Sequence, residues 1–122
     1  MRYFLTIVPD AAYEAGKKVP QGIMDAMGPY IEKQVASGML ISTAGLANSR
    51  NGTRVTGHSG KVTATDGPFT EAKEVIGGYA VIEAPTRAAA LAMASDFVQL
   101  HIDNGMPDIT VDVRPIDGGY NF

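Results

Sequence analysis

The sequence has no cysteine among its 122 residues, which excludes disulfides, thiol chemistry and any metal site built from cysteine. It also lacks a long apolar run, because no stretch approaches the roughly 20 residues that a membrane-spanning helix requires. The apolar part of residues 1–10 is too short for a secretion signal followed by a cleavage site. Together these absences predict a cytoplasmic protein with no membrane partner.

Signatures of nucleic-acid and cofactor binding are absent as well. The net charge of −3 argues against direct binding of nucleic acid, since the chain has no excess of cations to neutralise a run of phosphates. The two histidines, His58 and His101, lie far apart and show no zinc-ligand spacing. None of the 14 glycines belongs to a G-x-G-x-x-G or P-loop motif after a strand. No nucleophile elbow is present either. The sequence therefore predicts no metal and no other cofactor.

What is present is the composition of an ordinary globular protein, with 45% hydrophobic and 19% charged residues. A chain of this length buries about two-thirds of the surface that it exposes when unfolded. We therefore expect residues 1–122 to form a single domain.

Hydrophobic periodicity predicts two helices and six strands. The first strand is apolar on both faces, which is typical of a central strand. Apolar residues spaced by three and four from Ile23 to Val35 predict an amphipathic helix, in which Gly28 and Pro29 should cause a kink or a break. Thr86 should cap the second helix. The predicted strands are residues 2–8, 39–46, 53–56, 61–65, 75–84 and 109–114, and the predicted helices are residues 20–37 and 87–103.

The predicted order is strand, helix, strand, hairpin, strand, helix, strand. Without the inserted β-hairpin this is the βαββαβ order of a ferredoxin-like α+β fold, with both helices on one face of the sheet. No predicted element covers the opposite face, although that face carries apolar residues. A homodimer in which a second copy covers this face is the simplest arrangement.

Residues 65–78, with the sequence TDGPFTEAKEVIGG, combine turn residues, an aromatic ring, acids and a base. Asp66, Gly67 and Pro68 are typical of a tight turn, since aspartate can cap its own backbone, glycine tolerates positive φ and proline fixes φ. Phe69 follows as an apolar anchor, and residues 70–74 are compatible with a short helical turn. A loop with so many conformationally restrictive residues is either a turn that the fold requires or a functional site.

The same stretch carries a family resemblance. The matching residues are TDGPF at 65–69, then Glu71, Lys73, Glu74 and GGY at 77–79, with VDVRP at 111–115 as a closing strand. They resemble the signature of the YCII-related, DGPF-motif family across nearly the whole chain. The resemblance implies a dimeric α/β barrel of ferredoxin-like subunits, with a pocket between helix and sheet near the motif.

The resemblance implies no single reaction. A related branch performs dehydrochlorination of a chlorinated hydroxyquinol, and other members are associated with alternative sigma factors. The founding branch pairs a histidine on the first helix with an aspartate. When residues 43–45 are matched to that branch, Gly28 stands at the histidine position, so the pair is incomplete in this chain.

Two residues are candidate catalytic acid–base groups. Asp66 is either a general base in a partly desolvated loop or the cap of its own turn. His101, one helical turn after Phe97, is either a proton shuttle or a side chain that bonds the last carbonyls of its helix.

Four residues are candidates for substrate binding. Phe69 and Tyr79 offer aromatic surface and Lys73 offers a positive charge, a combination that suits a small planar anion such as a phenolate or carboxylate. Glu71 would share a helix face with Glu74 and help to position a substrate; the alternative is a pair of solvated acids with little energetic effect.

These observations favour a small-molecule pocket that supports cofactor-free acid–base or lyase-type chemistry on a small aromatic or anionic substrate. The alternative is a non-catalytic ligand-binding or regulatory module associated with transcription. A buried Asp66 in a closed pocket would favour the enzyme, whereas an Asp66 bonded only within its own loop would favour the module.

Overall fold

The computed structural model describes residues 1–69 and 75–119. Within these ranges the chain is α+β, with six strands, three α-helices and one 3₁₀ turn. In chain order the elements are β1 (Arg2–Pro9), α1 (Ala11–Glu14), α2 (Gln21–Ala36), β2 (Leu40–Gly45), the 3₁₀ turn (Ser49–Asn51), β3 (Thr53–His58), β4 (Lys61–Asp66), β5 (Gly78–Glu83), α3 (Arg87–Asp103) and β6 (Ile109–Pro115). None of the described helices is long and apolar enough to cross a membrane.

Four strands form one antiparallel sheet in the order β2-β5-β1-β6. With β3 and β4 set aside, this is the strand order of the ferredoxin-like arrangement, and the α+β prediction is confirmed. β1 is a central strand, as predicted, because it pairs with β5 on one side and with β6 on the other. Tyr3 lies opposite Ile82, and Leu5 lies opposite Val113.

The hydrophobic core lies between this sheet and α3. Its buried residues are Tyr3, Leu5, Ile82, Ala84, Ala90, Met93 and Ala94. The alanines on α3 bring that helix close to the sheet, because they have no bulk beyond Cβ. Thr86 caps α3 as predicted, since its Oγ1 accepts a hydrogen bond from the Ala89 N–H at 3.1 Å. On α3, Met93 is buried against the sheet, whereas Leu91 is 42% exposed.

Helix α2 passes through Gly28 and Pro29 without the break that the sequence left open. Proline removes one backbone N–H and so leaves the carbonyl of Asp25 without its helical partner. Both Pro29 and Asp25 are exposed, so that carbonyl can bond water instead, which makes an unbroken helix tolerable here. Ile23 is buried in α2, whereas Val35, predicted on the same apolar face, is 57% exposed.

β3 and β4, which lie between β2 and β5 in chain order, pair with each other in a separate two-stranded sheet. Ser59 and Gly60 connect them, with φ of 50° and 77°. Two consecutive residues with positive φ are typical of a type I′ hairpin turn. Val55 and Val62 on this hairpin are 68% and 78% exposed.

The face of the sheet opposite the helices, here called the open face, carries an aromatic pair. Phe4 of β1 stacks on Tyr79 of β5 with ring centroids 5.7 Å apart and an interplanar angle of 7°. Phe4, Tyr79 and Val81 are only half-buried in the single chain. The open face is therefore apolar at its centre.

Candidate functional site

A cavity of about 250 Å³ lies at the end of the four-stranded sheet where β1 and β2 end and β5 and β6 begin. The C-terminal part of α3, the α1 segment and the loop after β2 supply its walls. The lining residues are Ile7, Pro9, Tyr13, Glu14, Lys17, Val19, Leu46, Ala47, Asn48, Ile76, Gly77, His101, Met106 and Ile109. We refer to it as the His101 cavity.

His101 is held in one orientation by the helix that carries it. Only 7% of the residue is exposed, and its ring lies against that of Phe97 with centroids 4.3 Å apart. Nδ1 lies 2.8 Å from the Phe97 carbonyl oxygen. Because a carbonyl oxygen can only accept, Nδ1 carries the proton and donates it, which leaves Nε2 of the neutral ring with a lone pair.

Nε2 of His101 is the ring nitrogen that the Phe97 carbonyl leaves uncommitted. In residues 1–69 and 75–119, no side chain hydrogen-bonds to Nε2. Every side-chain nitrogen or oxygen of those residues that is sealed from solvent has a hydrogen-bond partner, so Nε2 is not among the sealed atoms. Nε2 is therefore reached from outside the core. The His101 cavity is the opening that this residue lines.

Another wall of the cavity comes from α1, a helix of four residues in a stretch where the sequence predicts neither a helix nor a strand. Asp10 caps it, since its Oδ1 accepts from the Ala12 N–H at 2.6 Å. Tyr13, Glu14 and Lys17 face the cavity from this segment. The Lys17 ammonium lies 5.3 Å from the centroid of the Tyr13 ring, so this wall presents a cation and an aromatic ring together.

Behind that wall lies the turn at residues 66–69. A Cβ atom on Gly67 would lie 1.8 Å from the carbonyl oxygen of Ser49, so only glycine fits there. The Gly67 N–H donates to the carbonyl of Gly52 at 2.9 Å. The backbone N–H of Phe69 donates to Ser49 Oγ at 3.2 Å. The 66–69 turn is thus fixed directly on the 3₁₀ turn.

Ser49 connects the 66–69 turn to the wall of the cavity. The residue is buried, at 5% exposure, and its hydroxyl donates to Glu14 Oε1 while accepting from Phe69. The neighbouring Asn48 donates from Nδ2 to the backbone carbonyl of Glu14. The side chain and the backbone of Glu14 are therefore both bonded to residues that adjoin the 66–69 turn.

The structure does not bring the predicted site residues into one place. His101 lines the cavity. Asp66 is exposed at the end of β4, where its Oδ1 accepts from the Thr53 hydroxyl at 3.0 Å. Tyr79 lies on the open face, and its hydroxyl is 3.4 Å from that of Ser42. Phe69 lies beside the 3₁₀ turn, outside the cavity wall.

The predicted contributions of Glu71 and Lys73 lie outside the residues that the structure describes. Phe69 itself packs under Arg54, whose guanidinium carbon is 4.3 Å from the ring centroid. Both residues border a second, more open cleft of about 410 Å³. This cleft and the His101 cavity share Leu46, Ala47, Asn48 and Ile76 in their walls.

Among the described residues, the two side chains with a clearly shifted pKa, Tyr30 and Glu83, lie away from the cavity. Burial of the Tyr30 phenol, with a smaller effect of Asp96, raises the pKa of Tyr30. The hydrogen bond from the N-terminal ammonium of Met1, with Arg2 adding to it, lowers the pKa of Glu83. Glu83 pairs with Arg2, at the end of the sheet opposite the cavity. Within the described ranges no group of three or more His, Asp or Glu side chains is placed to hold a metal ion.

Sequence reasoning missed Tyr13, Glu14, Lys17 and Ser49. One signal was available for the first three, since Asp10 before an alanine pair is a typical helix N-cap. No local signal marks Ser49. Its role depends on contacts with residues 20 positions later and 35 positions earlier, which hydrophobic periodicity does not report.

A family model for the YCII-related domain matches residues 1–99. The chain therefore belongs to the YCII-related family. No curated protein matches it.

Proposed function

We propose that the His101 cavity is a small-molecule site in which Nε2 of His101 accepts and returns a proton during cofactor-free acid–base or lyase-type chemistry. The observation that carries this proposal is the commitment of Nδ1 to the Phe97 carbonyl, which leaves Nε2 for a ligand. A histidine held in one tautomer beside a mostly apolar cavity has the arrangement that general-base catalysis requires. His101 replaces Asp66 as the leading candidate, because Asp66 lies outside the cavity and bonds Thr53.

The substrate class that best fits the cavity is a small aromatic or aliphatic anion. Ile7, Val19 and Met106 offer apolar surface in the cavity wall. Lys17 offers a positive charge in the same wall, and the carboxylate of Glu14, which also lines it, is bonded to the Ser49 hydroxyl. A cavity of about 250 Å³ is slightly below the usual range for drug-sized ligands. It suits a benzoate-sized molecule better than a nucleotide.

The proton-transfer role has a direct test. Phenylpyruvate is a small aromatic carboxylate with an acidic C–H bond, and a base that removes that proton exchanges it for deuterium in D₂O. The wild-type protein should accelerate this exchange over the uncatalysed rate, and His101→Gln should lose the acceleration. Equal rates with wild type, His101→Gln and buffer would overturn the catalytic proposal.

A non-catalytic ligand-binding module is the second candidate. It is favoured by the position of Asp66, which is exposed and whose carboxylate, among the described residues, bonds the neighbouring strand of its hairpin. The two candidates share the cavity and differ in turnover. A module predicts that benzoate stabilises the protein while phenylpyruvate exchanges no faster than in buffer.

We also propose that the protein is a homodimer in which a second copy covers the open face. Half-buried Phe4, Tyr79 and Val81 support this, as do the exposed valines Val55 and Val62 on the hairpin. Apolar surface of this kind is stabilised when a partner removes it from water.

A further inference from the structure

We infer that Ser49 is a positioning residue for the His101 cavity, through which the 66–69 turn holds the α1 wall in place. The inference rests on the proposed function where it concerns ligand binding. The structural part, in which Ser49 fixes α1 through Glu14, stands independently of any ligand.

α1 has little of its own to hold it in position. It contains four residues and none of them is buried. A single helical turn is unstable in isolation, because it fixes several backbone angles for very few hydrogen bonds. Hydrophobic packing of α1 side chains therefore does not explain why this segment stays at the cavity.

Hydrogen bonds accepted by Glu14 hold α1 in position where hydrophobic packing does not. Its carboxylate accepts from the Ser49 hydroxyl, and its backbone carbonyl accepts from the Asn48 side chain. Two bonds from one residue fix both the direction and the rotation of the short helix. Tyr13 and Lys17, which face the cavity, are then held on either side of this anchor.

Ser49 is in turn fixed by the 66–69 turn. The Phe69 N–H donates to its hydroxyl, and the missing side chain of Gly67 allows close approach to its carbonyl. A buried hydroxyl that must accept from Phe69 has its own proton directed elsewhere, and Glu14 receives it. The hydrogen bonds thus run from Phe69 through Ser49 to Glu14 and the cavity wall.

This arrangement gives the 66–69 turn a role in the site without contact with a ligand. It accounts for the requirement for glycine at position 67, where a backbone contact excludes every other residue. It also accounts for the position of Phe69 outside the cavity that its turn supports.

The test is a double-mutant cycle of Ser49→Ala and Glu14→Ala, with hydrogen exchange of the amides of residues 15–17 as the readout. These amides bond carbonyls of the α1 segment, as in Lys17 N–H to Ala12 at 2.9 Å. Each single variant should speed their exchange about fivefold or more, which corresponds to the loss of one hydrogen bond. The double variant should exchange no faster than either single variant, because both remove the same bond.

Ser95→Ala is the matched control. Its hydroxyl donates to the Leu91 carbonyl at 2.9 Å on the exposed side of α3, so the same chemical change is made away from the cavity. Exchange at residues 15–17 should be unchanged in this variant. The amide of Ala90 in α3, measured in every variant, reports global loss of stability.

Benzoate affinity, measured by NMR titration, supplies the functional readout. Ser49→Ala should weaken benzoate binding and Ser95→Ala should not, whereas Glu14→Ala is not used for this readout because it also removes a negative charge from the cavity wall. The inference is overturned if exchange at residues 15–17 is unchanged in both variants, or rises only in proportion to that of Ala90. If wild-type protein binds no benzoate, the proposed ligand is wrong, and the hydrogen-exchange measurement alone decides the role of Ser49. If Ser49→Ala does not fold, hydrogen exchange in Glu14→Ala decides that role.

Discussion

Gly67 and Ser49 approach so closely that a Cβ atom on Gly67 would lie 1.8 Å from the Ser49 carbonyl oxygen and 2.7 Å from its carbonyl carbon. Both atoms belong to the backbone, so no side-chain rotation can relieve the overlap. The 3₁₀ turn that contains Ser49 adjoins the His101 cavity through Asn48. A substitution at Gly67 would therefore disturb both the local fold and the cavity wall.

Gly67→Ala should destabilise the protein by about 2 kcal/mol or more, since overpacking against fixed atoms costs at least as much as in a filled core. Gly28→Ala is the matched control, because no atom outside its chain neighbours and its own helix backbone lies within 4 Å of its Cβ position in α2. That variant should be close to neutral, because the usual gain of about 0.5–1 kcal/mol when alanine replaces glycine in a helix is offset by crowding of the new Cβ against the ring of Pro29. Chemical denaturation of both variants checks the pair. Equal stabilities would contradict the close packing of Gly67 on Ser49.

Asp66→Ala should have a small effect. The carboxylate is exposed and accepts a hydrogen bond from Thr53. Because water competes for this bond, it should contribute about 0.5–1.5 kcal/mol rather than the larger amount of a buried bond to a charged group. Thr53→Val removes the donor of the same hydrogen bond and should change the free energy of unfolding by a similar amount. A loss of benzoate binding in Asp66→Ala, with the fold intact, would return Asp66 to the site and contradict the present assignment.

Tyr30 should make stability depend on pH in alkaline solution. Burial raises the pKa of its phenol in the folded state, so the folded protein holds this proton more tightly than the unfolded chain does. The resulting stability is fully present below the unfolded pKa of about 10 and is lost as pH rises through the higher folded value.

Denaturant unfolding of wild type and Tyr30→Phe between pH 8 and pH 11.5, roughly the range that brackets a phenol titration, tests this. The stability of the wild type should fall relative to that of the variant above pH about 10. A stability difference that stays constant across the range would show that the phenol titrates as it does in the unfolded chain.

Val81→Asp should convert the proposed homodimer into a monomer. Val81 is half-buried on the open face, and a carboxylate buried there without a partner would be costly. Val35→Asp introduces the same change on an exposed position of α2, where the residue is 57% exposed, and should leave the dimer intact. Light scattering should report twice 12.8 kDa for wild type and for Val35→Asp. A wild-type monomer at low micromolar concentration would contradict the dimer.

The sheet and its helices followed from the sequence because they depend on local periodicity. The central position of β1 was predicted from apolar residues on both of its faces, and the Thr86 cap of α3 from the residues around it; both predictions are confirmed. Helix α1 was missed because four residues carry too little periodicity to register. β5 begins at Gly78 rather than at residue 75, since the apolar residues 75 and 76 serve the cavity and cleft walls instead.

The site was harder to predict than the fold for a physical reason. His101 was a candidate from the sequence because it shares a helix face with Phe97, a local relationship, and the structure places it in the cavity lining. Ser49 and Glu14 meet only through the tertiary fold. Tyr79 was placed beside Phe69 by strand order, but strand alternation puts it on the open face, opposite the helices.

The central claim is that a ligand in the cavity meets Nε2 of His101. Nitrogen NMR of the imidazole measures this directly: the free protein should show the tautomer with the proton on Nδ1, and added benzoate should shift the Nε2 resonance together with the backbone amides of Tyr13 and Lys17. In the wild type, all of these shifts should saturate at the same benzoate affinity. In His101→Gln, the amide shifts at residues 13 and 17 should be absent. Benzoate shifts confined to Phe4 and Tyr79 on the open face, with Nε2 unmoved, would contradict the account.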